Sequence, residues 1–264
     1  MALTIAGSDP GGGAGIQADL KVFQRFEVFG TAVLTALTAQ NTTGVQAVHL
    51  IPADFVTRQL DAVLGDIGAA ATKSGMLGGA AQVLAVAGAL ERHRVACYVC
   101  DPVFVAKDGT RLLAPEAERV LRERLLPLAS LLTPNALEAQ ALSGVEIRTY
   151  EEACEAARRI SALGPRAVLI KGGHLELEEG TALDVLFVGG EAEPLRGPRL
   201  PTPHTHGTGC TLSAAITAGL ARGLALRQAV LTAKRYLTLA LASAFVPGSG
   251  RGRGCPDTRV QPPL

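Results

Sequence analysis

Strand-like and helix-like segments take turns along nearly the whole chain, and this alternation limits the possible folds more than any other feature. A short apolar run at residues 2–6 gives way to a Gly/Pro-rich turn. Ile16, Leu20, Phe23 and Phe26 then recur at three- and four-residue spacing, as one face of a helix does. Residues 31–39, 69–74, 95–100, 130–132 and 167–171 read as further strands, with 182–188 and 193–200 as a short antiparallel pair. The spacing predicts helices around Phe55 to Ile67, around Val83 to Leu90, over 115–126 and from Asn135 onward. Thr149 and Glu152 form a capping box that opens another helix, closed by Gly164. Helices over 209–222 and 226–245 finish the pattern. Such a βαβα order implies an α/β fold of three layers, α/β/α, around a mostly parallel central sheet. Ligands in such folds sit at the carboxyl ends of the strands. The polar and glycine-rich groups fall there: Gly7-Ser-Asp, Gln40-Asn-Thr, Gly75-Met-Leu, Asp101-Pro, Thr133-Pro-Asn and Lys171-Gly-Gly.

Composition narrows the function classes. With 48% hydrophobic and 19% charged residues, disorder is excluded. A net charge of +1 provides no bulk field for nucleic acid or an anionic membrane. Seven Phe, three Tyr and no Trp are too few for a base-stacking surface. Cys97 and Cys100 have CxxC spacing inside an apolar run, with no second pair to complete a zinc site, and read as structural thiols. Five scattered cysteines suggest no disulfide framework and a reducing, cytoplasmic setting. No Pro/Ser-rich linker or internal repeat divides the chain, so one domain over 1–264 is expected, its last fifteen or so residues a glycine/arginine-rich loop and tail.

Generic nucleotide motifs fail. Gly68 to Ser74 resembles a P-loop, but Thr72 stands at the second glycine and Lys73 lies inside a predicted strand. The run from Gly11 to Gly15 has Ile16 where GxGxxG needs its third glycine. The sharpest signal is His206-Gly-Thr-Gly-Cys-Thr-Leu212, just before an apolar helix. Glycines there let successive N–H groups point into one space, and the helix start adds partial positive charge, which suits an anion. The same terminus is expected to lower the Cys210 thiol's pKa and make it a base; packing beneath a tight turn is the plain alternative. Asp101 suits Mg²⁺ or a turn before proline. Asn135 and Glu138 read first as an N-cap pair, Lys171 as an ammonium at the ligand edge or an ordinary strand end, and Gln40 as a reader of a heterocycle or a loop-stabilising amide.

Together these residues resemble the hydroxymethylpyrimidine/phosphomethylpyrimidine kinases of thiamine biosynthesis, within the ribokinase-like superfamily. The resemblance is carried by residues 3–21, 35–42, 73–77, 101–103, 133–135 with Glu138, Lys171-Gly-Gly-His174 and 206–213, in family order. It implies transfer of phosphate from ATP, with Mg²⁺, to 4-amino-5-hydroxymethyl-2-methylpyrimidine and then to its monophosphate, and a homodimer. It further implies that Gln40 binds the pyrimidine while Gly7, Asp19 and Met76 line the pocket. Asp101, Asn135 and Glu138 would organise Mg²⁺ and the triphosphate, Asp101 and Glu138 as metal ligands, and Lys171 would meet phosphate. Gly207, Thr208, Gly209 and Cys210 would form the anion hole, with Cys210 as base. A pyridoxine or pyridoxal kinase of the same superfamily and a non-catalytic pyrimidine- or nucleotide-binding regulator are the rival readings. Two departures stand out: Ser74 replaces a usual apolar residue, and residues 248–256 carry Arg251, Arg253 and Cys255 where a Gly-Pro ending followed by His is usual.

Overall fold

The inner strands bury both of their faces. In β5 (Tyr98–Cys100), Tyr98 and Cys100 point into one hydrophobic layer and Val99 into the other. In β7 (Ala167–Ile170), Val168 and Ile170 take the first layer while Ala167 and Leu169 take the second. This period of two on both sides is what a sheet sandwiched between helices requires. The computed structural model describes residues 1–104, 113–173 and 180–263.

The sheet runs in the order β3-β2-β1-β4-β5-β6-β7-β8-β9. Here β1 is Ala2–Ser8, β2 Gly30–Asn41, β3 Gly44–Leu50, β4 Ala71–Ser74, β6 Leu131–Leu132, β8 Thr181–Val188 and β9 Glu191–Pro198. Pairings from β2 through β7 are parallel, whereas β3, β8 and β9 join antiparallel at the two edges. Helices α1 (Gly15–Arg25), α7 (Thr208–Ala221) and α8 (Leu226–Ala242) cover one face. The other face is covered by α2 (Ala53–Ala62), α3 (Ala80–Arg92), α4 (Pro115–Val120), α5 (Ala136–Ser143) and α6 (Tyr150–Ser161).

Strand order reverses at β1: the chain steps outward to β2 and β3, then returns to the far side of β1 as β4. Such a switch point opens a crevice beyond the carboxyl ends of the two central strands. Gly7-Ser-Asp and Gly75-Met76 flank it. Both expected capping boxes form, Thr149 with Glu152 and Asn135 with Glu138.

The edge strand β3 lies in a stretch the periodicity leaves unassigned. Its residues are half-buried or exposed on both faces, so no apolar alternation marks it. The chain reverses into it through Thr42 and Thr43, with Asn41 paired to Gly44. Helices α2 and α4 continue into the wider turns Val63–Ile67 and Leu121–Leu125. The five cysteines are free thiols. Among the described residues no helix is long and apolar enough to cross a membrane.

Candidate active site

The start of α7 is pressed against the loop that leads into α1. Gly207 has φ +76°, and a Cβ there would lie 1.8 Å from the Gly13 carbonyl oxygen, so only glycine fits. Thr208 turns inward: its amide and hydroxyl donate to the Thr205 carbonyl at 3.3 and 2.7 Å. The first helical bond is from the Thr211 amide to the Gly207 carbonyl. Among the described residues no backbone carbonyl outside the helix and no capping side chain takes the amides of Gly209 and Cys210. A Cβ on Gly209 would sit 3.4 Å from Lys171 Nζ and 3.7 Å from Asp101 Oδ2. The helix start with its two unclaimed amides therefore lies next to the side chains at the ends of β5 and β7.

Asp101 is almost fully buried. Lys171 Nζ donates to Oδ1 at 2.8 Å, Thr133 Oγ1 to Oδ1 at 3.2 Å and Ser213 Oγ to Oδ2 at 3.2 Å. Burial pushes this carboxyl up, but the charges of Lys171 and Lys73 outweigh it and hold Asp101 below the usual range. Lys171 is in turn held above its ordinary value: burial lowers it, and the Asp101 and Glu138 charges prevail.

Asn135 and Glu138 are first of all the cap of α5. Glu138 Oε2 accepts from the Asn135 amide at 2.8 Å and Oε1 from the Phe104 amide at 3.3 Å, while Asn135 Oδ1 accepts from the Glu138 amide. Burial, opposed by Lys171 and reinforced by Asp101, pushes Glu138 up to about 7. The Lys171 and Asp101 charges both act on this carboxyl, and a parallel bridge joins Asn135 to Lys171. Among the described residues no group of three His, Cys, Asp or Glu side chains stands ready to cage a metal. His174 lies outside the described residues.

Two expectations for this site are corrected. The thiol of Cys210 is not activated by its helix terminus: burial pushes it up to about 11, against the Lys73 charge and the Gly15 amide that pull it down. Removal from water is the largest effect on this thiol, and the neighbouring Asp19 and Asp101 charges act in the same direction. Asp19 does not line a pocket either, because its carboxylate is fully buried. It takes two bonds from Lys73 Nζ, at 2.8 and 2.9 Å, and one from the Thr4 hydroxyl at 2.6 Å. Lys73, equally buried in the central strand β4, is held above its ordinary value by the Asp19 charge, against the effect of burial. Removing one side chain of such a pair strands a charge in the interior. Lys73→Met or Asp19→Leu alone is expected to cost about 3–5 kcal/mol in urea unfolding, and the double variant much less.

Gly7 and Met76 do come together across the crevice: a Cβ on Gly7 would lie 3.2 Å from Met76 Sδ. Gln40, next to last in β2, has its amide nitrogen 3.2 Å from His206 Nε2, and its Oε1 accepts from Thr38. His206 Nε2 is also 2.8 Å from Asp9 Oδ2. Asp9 accepts from the amides of Gly11 and Ala14 as well. Burial raises this carboxyl, and the His206 contact and the amides outweigh it, leaving Asp9 below the usual range. Sequence reasoning gave neither Asp9 nor Lys73 a role; a polar residue inside an apolar strand was the available signal for Lys73. Ser74 shares a short hydrogen bond with the buried Tyr98 hydroxyl, which explains how a hydroxyl is accommodated there.

A family model described as phosphomethylpyrimidine kinase matches residues 9–254. The hydroxymethylpyrimidine/phosphomethylpyrimidine kinase of Haemophilus influenzae is 48% identical over 95% of this chain and 94% of its own length. The thiamine biosynthesis bifunctional protein ThiED of Geobacter sulfurreducens is 50% identical over 95% of the chain, which spans only 51% of that longer protein. Among solved structures, an ADP complex of Bacillus subtilis pyridoxal kinase superposes with a TM-score of 0.87 at 40% identity, covering 97% of each chain. With the three-layer, ribokinase-like fold and the site at its switch point, these likenesses show that the chain belongs to the phosphomethylpyrimidine kinase family.

Proposed function

We propose that this kinase transfers the terminal phosphate of ATP to 4-amino-5-hydroxymethyl-2-methylpyrimidine and then to its monophosphate, within thiamine biosynthesis. One observation carries the reading: Gly209, whose amide and that of Cys210 are unclaimed, packs beside Lys171 and Asp101 at the sheet's ligand edge. Phosphoryl transfer requires positioning and neutralisation of charge on the transferring oxygens more than covalent chemistry. The two amides and the Lys171 ammonium supply donors for those oxygens. Gly207 supplies the turn that aims them, and Thr208 anchors the turn through Thr205.

Asp101 and Glu138 are hard oxygen donors, and Mg²⁺ characteristically takes one or two carboxylates together with water and phosphate oxygens, so the donor set fits that ion. When bound, Mg²⁺ neutralises triphosphate charge. Asn135 orients Glu138 through the cap and presents its own amide to the nucleotide side. Gln40, held by Thr38, offers an amide that both donates and accepts, matching a ring nitrogen beside an amino group. Gly7 and Met76 form the walls of the pyrimidine slot, and the Asp19–Lys73 pair is a positioning element near Cys210. A homodimer and a cytoplasmic location belong to the same reading; the edge strand β3, with Val48 and Leu50 exposed, is one surface open to a second copy.

ADP formation with MgATP against four acceptors tests the reading. Turnover is expected with the pyrimidine alcohol and its monophosphate, slower turnover with pyridoxine and none with ribose. Faster turnover of pyridoxine would replace the reading by pyridoxal-type kinase activity, and binding of the pyrimidines without ADP release would make the chain a regulator.

A further inference from the structure

Residues 248–256 pack firmly against the site. Phe245 and Cys255 form an antiparallel bridge. The Gly252 amide donates to Thr42 Oγ1 at 3.2 Å and the Arg253 amide to the Thr42 carbonyl at 2.9 Å. On the other side the His206 amide donates to the Gly254 carbonyl, and the Gly254 amide to His204 Nδ1. Side chains are excluded at the glycines flanking Arg253: a Cβ on Gly252 would lie 1.9 Å from the Thr42 oxygen, and one on Gly254 2.0 Å from the Phe245 oxygen. The segment thus bridges the tip of the β2–β3 hairpin and the residue that precedes the anion loop.

Arg251 and Arg253 are both exposed on this fixed backbone. Arg253 lines a small cleft with Asp9, Asn41 and His206, and Arg251 lines the adjoining, wider one with Asn41 and Thr43. Other cations near the site are spoken for: Lys171 by Asp101, Lys73 by Asp19, and Lys21 by the Gly12 carbonyl. Among the described residues neither Arg251 nor Arg253 is paired with a carboxylate. Asp9, the acid in the cleft of Arg253, is already taken by His206 and two amides.

His206 fixes where this cleft lies. It is within 3.2 Å of the Gln40 amide, and its chain neighbour is Gly207 of the anion loop. The cleft therefore adjoins the space between the pyrimidine-binding end and the phosphate-transfer end of the site. A monophosphate acceptor brings roughly 1.5–2 negative charges into that space, facing a triphosphate, whereas the alcohol brings none. A chain with net charge +1 has no general field to offset this repulsion, so local cations must. Guanidinium meets phosphate oxygens through two parallel charge-assisted bonds.

We propose that Arg253, assisted by Arg251, forms an acceptor-phosphate subsite that recognises the phosphate monoester of the second substrate and is silent toward the alcohol. The inference rests on the acceptor pair proposed above. Its test is the R251Q/R253Q double variant beside R253K, with kcat and KM measured for each acceptor over a salt series. The double variant is expected to raise KM for the monophosphate about tenfold or more, the equivalent of one charge-assisted hydrogen bond, with the alcohol constants unchanged within about twofold. R253K should recover part of the loss, and the variant should lose the wild-type salt dependence of that KM. Calorimetric titration with the monophosphate reads the same weakening without turnover. Unchanged monophosphate affinity, or an equal rise in KM for both acceptors, overturns the subsite; failure of the wild type to phosphorylate either pyrimidine overturns the acceptor reading instead.

Discussion

In the Gly209→Ala variant, ADP formation with both pyrimidine acceptors is expected to fall by about 10²–10³-fold while the protein stays folded. The added methyl would meet Lys171 Nζ at 3.4 Å and Asp101 Oδ2 at 3.7 Å, which are ordinary contact distances. Nothing needs to shift, and alanine is the better helix former by about 1 kcal/mol. Stability should therefore hold or rise, read as an unchanged or higher Tm. What the methyl takes is the space between the free amides and the ammonium, where phosphate oxygens must lie. Gly207→Ala makes a poor substitute because it strains the backbone at φ +76° and collides with Gly13, so lost activity there would mix with lost stability. Near-wild-type rates in Gly209→Ala would mean that phosphate is transferred somewhere else.

With Cys210 proposed as the base of the alcohol step in spite of its raised thiol, Cys210→Ala is expected to separate the two phosphorylations. An alcohol must lose a proton as it attacks, and general-base assistance is worth about 10²–10⁴-fold. The monophosphate is already ionised near neutral pH and has no such need. The variant should therefore slow the alcohol step at least about tenfold more than the phosphate step. The pH dependence has a definite sign. With the thiol pushed up to about 11, the base form is scarce at pH 7, so the wild-type alcohol rate should climb with pH from 6 to 9. In Cys210→Ala that slope should flatten. Equal losses in both steps, or a slope that survives the substitution, would leave Cys210 as packing under a turn.

Local features could be read from the sequence, and long-range pairings could not. The strand ends, both capping boxes and the helix start at residues 207–210 each depend on residues a few positions apart, and turn chemistry and periodicity reveal them. The Asp19–Lys73 pair joins residues 54 apart and the Asp9–His206 contact residues 197 apart, with no local pattern to announce either. The expected activation of Cys210 failed for a related reason. A helix terminus is visible in sequence, but the burial that raises the thiol depends on distant residues such as Gly15 and Lys73 coming together around it. Edge strand β3 escaped because neither of its faces is buried, so the alternation that marks a half-buried strand is missing.

The amides at the start of α7, together with Lys171, are proposed to receive the phosphoryl group in flight. A crystal structure with ADP, Mg²⁺, aluminium fluoride and the pyrimidine alcohol tests it most directly. The planar fluoride is expected within about 3 Å of the Gly209 and Cys210 amides and of Lys171 Nζ, with Asp101 turned toward the metal. A mimic bound out of hydrogen-bond reach of those three nitrogens would contradict it.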